Sequence, residues 1–128
     1  MLQNKLAVHF ADGTILKGQA TDFRHNKPEF HLTALDGETS VIAIADLKAV
    51  FFVRDYEGTR ERRRSYEDVI AGGGRKLKVS FSDGEEIIGY TSGYSADRIG
   101  FFLIPADLED NNERIFVVAA ACDQVEFL

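Results

Sequence analysis

A basic segment near the middle of the chain carries the residues best suited to bind a phosphate. Arg60 and Arg64 stand in an R-x-x-x-R spacing, with Arg62 and Arg63 between them. The fork-shaped guanidinium group binds phosphate oxygens through paired hydrogen bonds. Acidic neighbours such as Glu61 can instead pair with these arginines on a solvated segment. The spacing leaves both interpretations open, a phosphate site and a solvated charge run.

The remaining polar side chains form no recognisable catalytic or metal-binding pattern. The histidines are His9, His25 and His31, and no cysteine or carboxylate spacing completes a metal set with them. The serines have no readable base partner for nucleophilic attack. Cys122 follows three alanines, which predicts a small buried thiol. We therefore expect a protein that is not an enzyme and that holds no metal or other cofactor.

The charge of the chain is unevenly distributed. The 128 residues carry a net charge of −6, and residues 76–128 alone hold 4 basic and 10 acidic side chains. Such an acidic region repels a phosphate backbone, which argues against extended nucleic-acid binding there. No apolar run reaches the roughly 20 residues that a membrane helix needs. With its single cysteine, the chain is predicted to be soluble and cytoplasmic.

An internal repeat organises the chain. Shifted by 71 residues, residues 5–18 match residues 76–89 at 7 of 14 positions. After Asp36 the second copy gains four residues, and the match resumes at an offset of 75, where Phe52 meets Phe127. A match this dense, with one gap, predicts a duplicated unit. The predicted domains are a first repeat over 1–55, a basic linker over 56–75 and a second repeat over 76–128.

Each repeat has the pattern of five short strands. Leu6, Val8 and Phe10 alternate with other positions, and Asp12-Gly13 is a strong hairpin turn. Gly18 inside the second strand predicts a sharp bend or a close approach of two backbones. Bending lets a short sheet close on itself. The predicted fold is all-β, with two tandem small bent five-stranded antiparallel barrels. Strands are expected around Leu6 to Phe10 and near 14–22, 30–34, 41–44 and 49–53, and near 76–82, 85–93, 99–104, 114–120 and 123–128.

Two further features concern how the repeats are joined. Ser65, with Asp68 three residues later, predicts the start of a short linking helix, and glycines 72–74 predict its end. Phe51–Phe52 and Phe101–Phe102 place consecutive rings on opposite faces of a strand. One ring of each pair is expected to pack between the repeats, and an exposed patch for a partner is the alternative.

The pattern of apolar residues and glycines resembles that of the Sm-like family. The residues concerned are Leu6-x-Val8-x-Phe10-x-Asp12-Gly13-x-x-Leu16-x-Gly18, then Phe23, Phe30-x-Leu32 and Ile44 to Phe52. That family builds a five-stranded bent barrel of the SH3-like kind. The resemblance implies RNA contact by the loop after the second strand and by the corner before the fifth strand. Here that loop holds Phe23, Arg24, His25 and Asn26, which can stack on or hydrogen-bond to a base.

Two other resemblances concern the linker and the strands. Arg60-x-x-x-Arg64 before a β unit resembles the PilZ family, which implies that the two arginines hold a cyclic dinucleotide. The stretches DLKAVFFVRDYEG and GFFLIPADLEDNNERIFV resemble an uncharacterised bacterial domain family. We predict a non-catalytic binding or interaction module, a bacterial scaffold or regulatory protein that contacts a protein partner or associates with itself. The alternative is a nucleotide or RNA binder.

Overall fold

The computed structural model describes residues 4–57, 66–95 and 97–128 of the chain. These residues form ten β-strands and two short 3-10 turns, and no α-helix occurs among them. The all-β class predicted from the sequence is therefore confirmed. None of the described segments is a helix that is long and apolar enough to cross a membrane.

The strands fall into an N-terminal half, β1–β5, and a C-terminal half, β6–β10. In each half a 3-10 turn, Ile44–Asp46 or Ala119–Ala121, precedes the last strand. The domain boundaries predicted near residues 55 and 75 stay a prediction. The strands are β1 (Asn4–Phe10), β2 (Ile15–Ala20), β3 (Glu29–Ala34), β4 (Thr39–Ala43), β5 (Leu47–Val53), β6 (Arg75–Phe81), β7 (Glu86–Thr91), β8 (Gly100–Pro105), β9 (Asn112–Val118) and β10 (Cys122–Phe127).

An Asp-Gly pair builds the first hairpin of each half. Gly13 and Gly84 both have a φ of +95°, a conformation that glycine adopts without a steric penalty. The carboxylates of Asp12 and Asp83 accept hydrogen bonds from the backbone N–H two residues further on, at 2.9 Å and 3.0 Å. The same turn chemistry therefore sets the pairing of β1 with β2 and of β6 with β7.

Gly18 and Gly89 lie where two strands approach too closely for a side chain. A Cβ on Gly18 would sit 2.2 Å from the carbonyl oxygen of Thr33 on β3. A Cβ on Gly89 would sit 2.4 Å from the carbonyl oxygen of Ile104 on β8. These positions require glycine because any larger residue would push the paired strands apart.

All ten strands belong to one antiparallel sheet. Their order is β10-β6-β7-β8-β9-β5-β1-β2-β3-β4. The halves meet where β5 pairs with β9, and we call this pairing the seam. The order runs from β10 to β4 without returning on itself, so the two separate closed barrels predicted from the sequence are not formed. The physical reason is that β5 pairs outward with a strand of the other half and not with β4 of its own.

Strand alternation at the seam sends side chains into two cores. Phe52 of β5 and Phe116 of β9 belong to the core of the N-terminal half. Their neighbours Phe51 and Ile115 belong to the core of the C-terminal half. All four are buried. Each core is thus completed by a strand of the other half, which is the inter-repeat packing expected for Phe51–Phe52.

The linking helix predicted from the sequence is not found among the described residues. Ser65 lies outside them, and residues 66–70 have no regular secondary structure. Asp68, expected to support a helix cap, instead accepts the N–H of Leu108 at 2.7 Å with its carboxylate. Its own N–H donates to the carbonyl oxygen of Ala106 at 2.9 Å. The segment therefore binds the loop after β8 and does not form its own helical hydrogen bonds.

Candidate ligand-binding cleft

A cleft of about 570 Å³ opens beside the seam. The loop between β2 and β3 contributes residues 23–27 to its lining. Phe102 of β8 and Arg114 of β9 come from the C-terminal half, and Asn4 and Phe52 complete the lining. Sites for small molecules typically measure about 300–1,000 Å³. The cleft therefore has the size of a small-molecule site and draws its lining from both halves.

Aromatic rings form the floor of this cleft. The ring of Phe23 lies edge to face against the rings of Phe30, Phe116 and Phe52, with centroids 5.1, 5.2 and 5.5 Å apart. Edge-to-face contacts of this kind are favourable beyond their buried area. Phe102 lies 6.1 Å from Phe23 and is half-buried. Phe23 therefore anchors the loop to the core, and its ring is largely occupied by protein contacts.

The loop is held at its base by Asp22 and His31. One carboxylate oxygen of Asp22 accepts the backbone N–H of His31 at 3.0 Å, and the other lies 2.6 Å from His31 Nδ1. The side-chain hydrogen bond to His31 keeps the pKa of Asp22 below its ordinary value. Further along, the carbonyl oxygen of Arg24 accepts the N–H of Lys27 at 3.3 Å. This turn leaves the side chains of residues 24–27 exposed at the rim of the cleft.

Arg114 reaches across the seam to the aromatic floor. Its guanidinium carbon lies 4.2 Å from the ring centre of Phe52 and 4.8 Å from that of Phe102. A cation over an aromatic face is attracted by the negative charge of that face. Partial burial lowers the pKa of Arg114, yet an arginine stays charged at neutral pH. The two rings thus hold a charged guanidinium at the cleft wall.

The cleft is a positive site on an acidic protein. Arg24, Lys27 and Arg114 line it, and no carboxylate of the described residues does so. None of these three cations takes part in the ion pairs found within residues 4–57, 66–95 and 97–128. Beside them, the ring of His25 lies 6.5 Å from that of Phe102. Cations that line a cleft without a lining carboxylate favour an anionic ligand.

Four of the residues proposed from the sequence come together here. Phe23, Arg24, His25 and Asn26 all line the cleft. The other two, Arg60 and Arg64, lie outside the described residues. The alternation of side chains along the strand at Phe101–Phe102 could have indicated that Phe102 forms one wall of the cleft. No feature of the sequence indicated Arg114. Sequence reasoning missed the lining residues that come from other elements, which are Asn4, Phe52, Phe102 and Arg114.

A second charged cluster joins the two halves outside the cleft. Lys48 Nζ lies 2.6 Å from a carboxylate oxygen of Asp83 and 2.6 Å from one of Glu85. Burial opposes the charge on Lys48, but the hydrogen bonds to both carboxylates outweigh it and raise the pKa of Lys48. His9 packs on Phe51 with ring centroids 4.3 Å apart, and burial lowers the pKa of His9. These satisfied contacts indicate a structural role.

The described residues offer little for metal or thiol chemistry. No group of three or more His, Cys, Asp or Glu side chains within them is arranged to hold a metal ion. Burial raises the pKa of Cys122 to about 11. Its thiol lies 3.6 Å from the carbonyl oxygen of Val118, as a weak donor. A thiol that stays protonated at neutral pH is a poor nucleophile.

The fold and the cleft define an all-β protein whose two five-stranded halves share a sheet and together line a polar cleft. Residues 2–128 match a family of unknown function, DUF6982, and the chain belongs to that family. No curated protein and no solved structure matches the chain significantly. The family carries no functional assignment, so the chemistry of the cleft is the guide to function.

Proposed function

We propose that the protein is a non-catalytic binding module whose cleft binds a nucleotide. The observation that carries this proposal is that Arg24, Lys27 and Arg114 all line a cleft without a lining carboxylate. Arginine binds phosphate through two parallel hydrogen bonds, and lysine adds a point charge. A phosphate group therefore has cations on both sides of the cleft, from the loop and from β9.

The base of the nucleotide would lie against the aromatic side of the cleft. Phe102 is half-buried there, and Arg114 lies over its ring. Guanidinium planes and aromatic rings both stack on nucleobases. The exposed amide of Asn26 offers donors and an acceptor to the edge of a base, and His25 adds a ring nitrogen. The cleft thus holds groups for both parts of a nucleotide.

A nucleotide fits the charge distribution better than an extended nucleic acid does. Residues 76–128 hold 10 acidic and 4 basic side chains, which would repel a phosphate backbone running beyond the cleft. A protein partner bound through outward aromatic rings has less support. Phe51, whose ring packs into the core of the other half, is only 4% exposed, and Phe102, which packs on the N-terminal core, is half-buried in the cleft.

We also propose that each half is an Sm-like bent sheet. Support comes from the glycine at the first hairpin, Gly13, and from Gly18 within the second strand, as in the resemblance. The loop that the resemblance assigns to RNA contact also borders the cleft. The PilZ-like site at Arg60 and Arg64 stays a prediction, because both residues lie outside the described part of the chain.

Fluorescence anisotropy at low salt tests the nucleotide proposal. The probes are a labelled nucleoside diphosphate and a labelled short single-stranded RNA. The double variant Arg24→Ala with Lys27→Ala should bind the nucleotide at least about tenfold more weakly, because two charge-assisted phosphate contacts are lost. The control, Arg75→Ala with Arg98→Ala, removes the same charge from exposed positions outside the cleft lining and should leave the affinity within about twofold.

The possible outcomes separate the ligand classes. Binding of RNA without binding of the nucleotide would assign the cleft to a single strand. Absence of binding by either probe at low salt would contradict the proposal, as would an equal loss of affinity in the control variant.

A further inference from the structure

The internal repeat makes the strands at the two ends of the sheet, β10 and β4, the equivalents of the two seam strands, β5 and β9. The 3-10 turns at 44–46 and 119–121 differ by 75 residues, the same offset that relates the C-terminal parts of the two halves. This offset places β10 on β5 and β4 on β9. The pairing also agrees, because Ala7 lies opposite Phe51 and the equivalent Lys78 lies opposite Glu126. A second copy could therefore extend the sheet by setting its β4 against β10 of the first.

The seam itself is apolar on the side that faces the C-terminal core. Ala7, Ala49 and Phe51 belong to that core and are at most 7% exposed. Their equivalents at the end of the sheet are Lys78, Gln124 and Glu126. Lys78 Nζ lies 3.5 Å from Glu86 and 3.7 Å from Glu126. A charged surface thus replaces the apolar one.

The opposite end of the sheet shows the same replacement. Phe102 and Phe116 extend from the C-terminal half onto the N-terminal core. The equivalent of Phe102 is His31, which is exposed and bound to Asp22. The equivalent of Phe116 is Val41, a smaller side chain that is 56% exposed.

The ion pairs that stabilise the seam are also missing at the ends of the sheet, where the equivalent residues carry like charges. Lys48 meets Asp83 and Glu85 across the seam. The residue equivalent to Lys48 is Asp123, and the residue equivalent to Asp83 is Asp12. In an extended sheet, Asp123 of one copy would therefore face Asp12 of the next. Two carboxylates that face each other in this way repel each other.

We propose that the two repeat units of the chain join only at the seam, and that both outer edges of the sheet prevent a second copy of the chain from pairing there. Extending the sheet would place Glu126 and Lys78 against an apolar core like the one that holds Phe51, and removing charges from water opposes association. Charged side chains are a common protection of exposed sheet edges. The protein therefore remains a monomer.

Sedimentation velocity on the full chain, up to its highest soluble concentration, tests this proposal. The parent should sediment as a 14.3 kDa monomer throughout. The triple variant Lys78→Ala, Asp123→Lys and Glu126→Phe gives three positions on β6 and β10 the residue of their seam equivalent and should associate as concentration rises. Glu57→Lys changes the net charge by the same amount at an exposed position outside the strands and should stay monomeric.

Every outcome bears on the proposal. Association of the parent chain would overturn it. A triple variant that keeps the β-sheet circular dichroism spectrum and stays monomeric would overturn it too, because the named residues would not be what blocks pairing. If the triple variant does not fold, Asp123→Lys with Glu126→Phe alters only exposed side chains and is judged by the same criterion.

Discussion

Replacing Lys48 by methionine tests how the seam is held. Its side chain is 11% exposed, whereas those of Asp83 and Glu85 are 54% and 36% exposed, so water can solvate both carboxylates once Lys48 is gone. Each partly exposed ion pair contributes about 0.5–1 kcal/mol. The contact of Nζ with the Phe81 ring, 4.7 Å from its centre, contributes about another 0.5–1 kcal/mol. Because methionine keeps the stem volume, we expect the free energy of unfolding to fall by about 2 kcal/mol.

The pH dependence of this effect follows from the Asp83 carboxyl. The hydrogen bond from Lys48 holds the pKa of Asp83 below its ordinary value of 3.8. A depressed pKa in the folded state gives stability that is complete above the unfolded-state pKa and is lost as pH falls through the folded value. The difference between the parent and Lys48→Met should therefore be full at neutral pH and shrink once the pH falls below the ordinary pKa of Asp83.

Urea unfolding followed by circular dichroism, with the tyrosine signal as a second probe, measures both effects. Lys78→Met is the matched control, because Lys78 is more exposed and its carboxylate contacts are longer, at 3.5 Å and 3.7 Å. It should cost at most about 0.5 kcal/mol, as exposed pairs do. The reasoning fails if Lys48→Met costs no more than the control, or if its cost is the same at low and neutral pH.

The other predictions concern a glycine and the thiol. Gly18→Ala should lower the free energy of unfolding by more than about 3 kcal/mol or prevent folding, because its Cβ would lie 2.2 Å from a backbone oxygen. A Cβ on Gly93 would meet nothing within 4 Å, so Gly93→Ala should change the free energy of unfolding by less than about 1 kcal/mol in the same urea titration. Equal costs for the two substitutions would contradict the close approach at Gly18. Cys122 has a pKa of about 11, and its alkylation by iodoacetamide at pH 8 should be on the order of 100-fold slower than that of a small free thiol. The prediction is supported if Cys122 and the free thiol react at the same rate after denaturation and Cys122 reacts more slowly in the folded state. Equal alkylation rates in the folded state would refute it.

Local chemistry accounts for the parts of the fold that the sequence predicted. The Asp12-Gly13 and Asp83-Gly84 turns gave the hairpins because glycine reaches a φ of +95° and the carboxylate accepts the N–H two residues further on. Gly18 signalled a close approach because no other residue lacks a Cβ. Two-residue alternation at Phe51–Phe52 required one ring to leave its own core. These signals act over a few residues, so they are readable without knowing the partner strand.

The features that the sequence did not predict depend on long-range pairing. Closure of each half into a barrel was expected, but β5 gains β9 as a neighbour, and no local pattern states that preference. The linking helix was expected from Asp68, whose carboxylate instead finds the N–H of Leu108, forty residues away. Arg114 entered the cleft for the same reason. Its position opposite Phe52 exists only once the seam has formed.

The seam also explains why the cleft forms beside β5 and β9 and draws its lining from both halves. The C-terminal half has its own ring at the equivalent of Phe52, Phe127, with Tyr94 at 5.5 Å. There, however, the guanidinium of Arg75 lies 3.9 Å from the centre of Phe127, and no opposing strand supplies counterparts of Phe102 and Arg114 among the described residues. A cleft of this kind needs two halves joined edge to edge. The cleft therefore depends on the seam, because this pairing places Arg114 opposite Phe52.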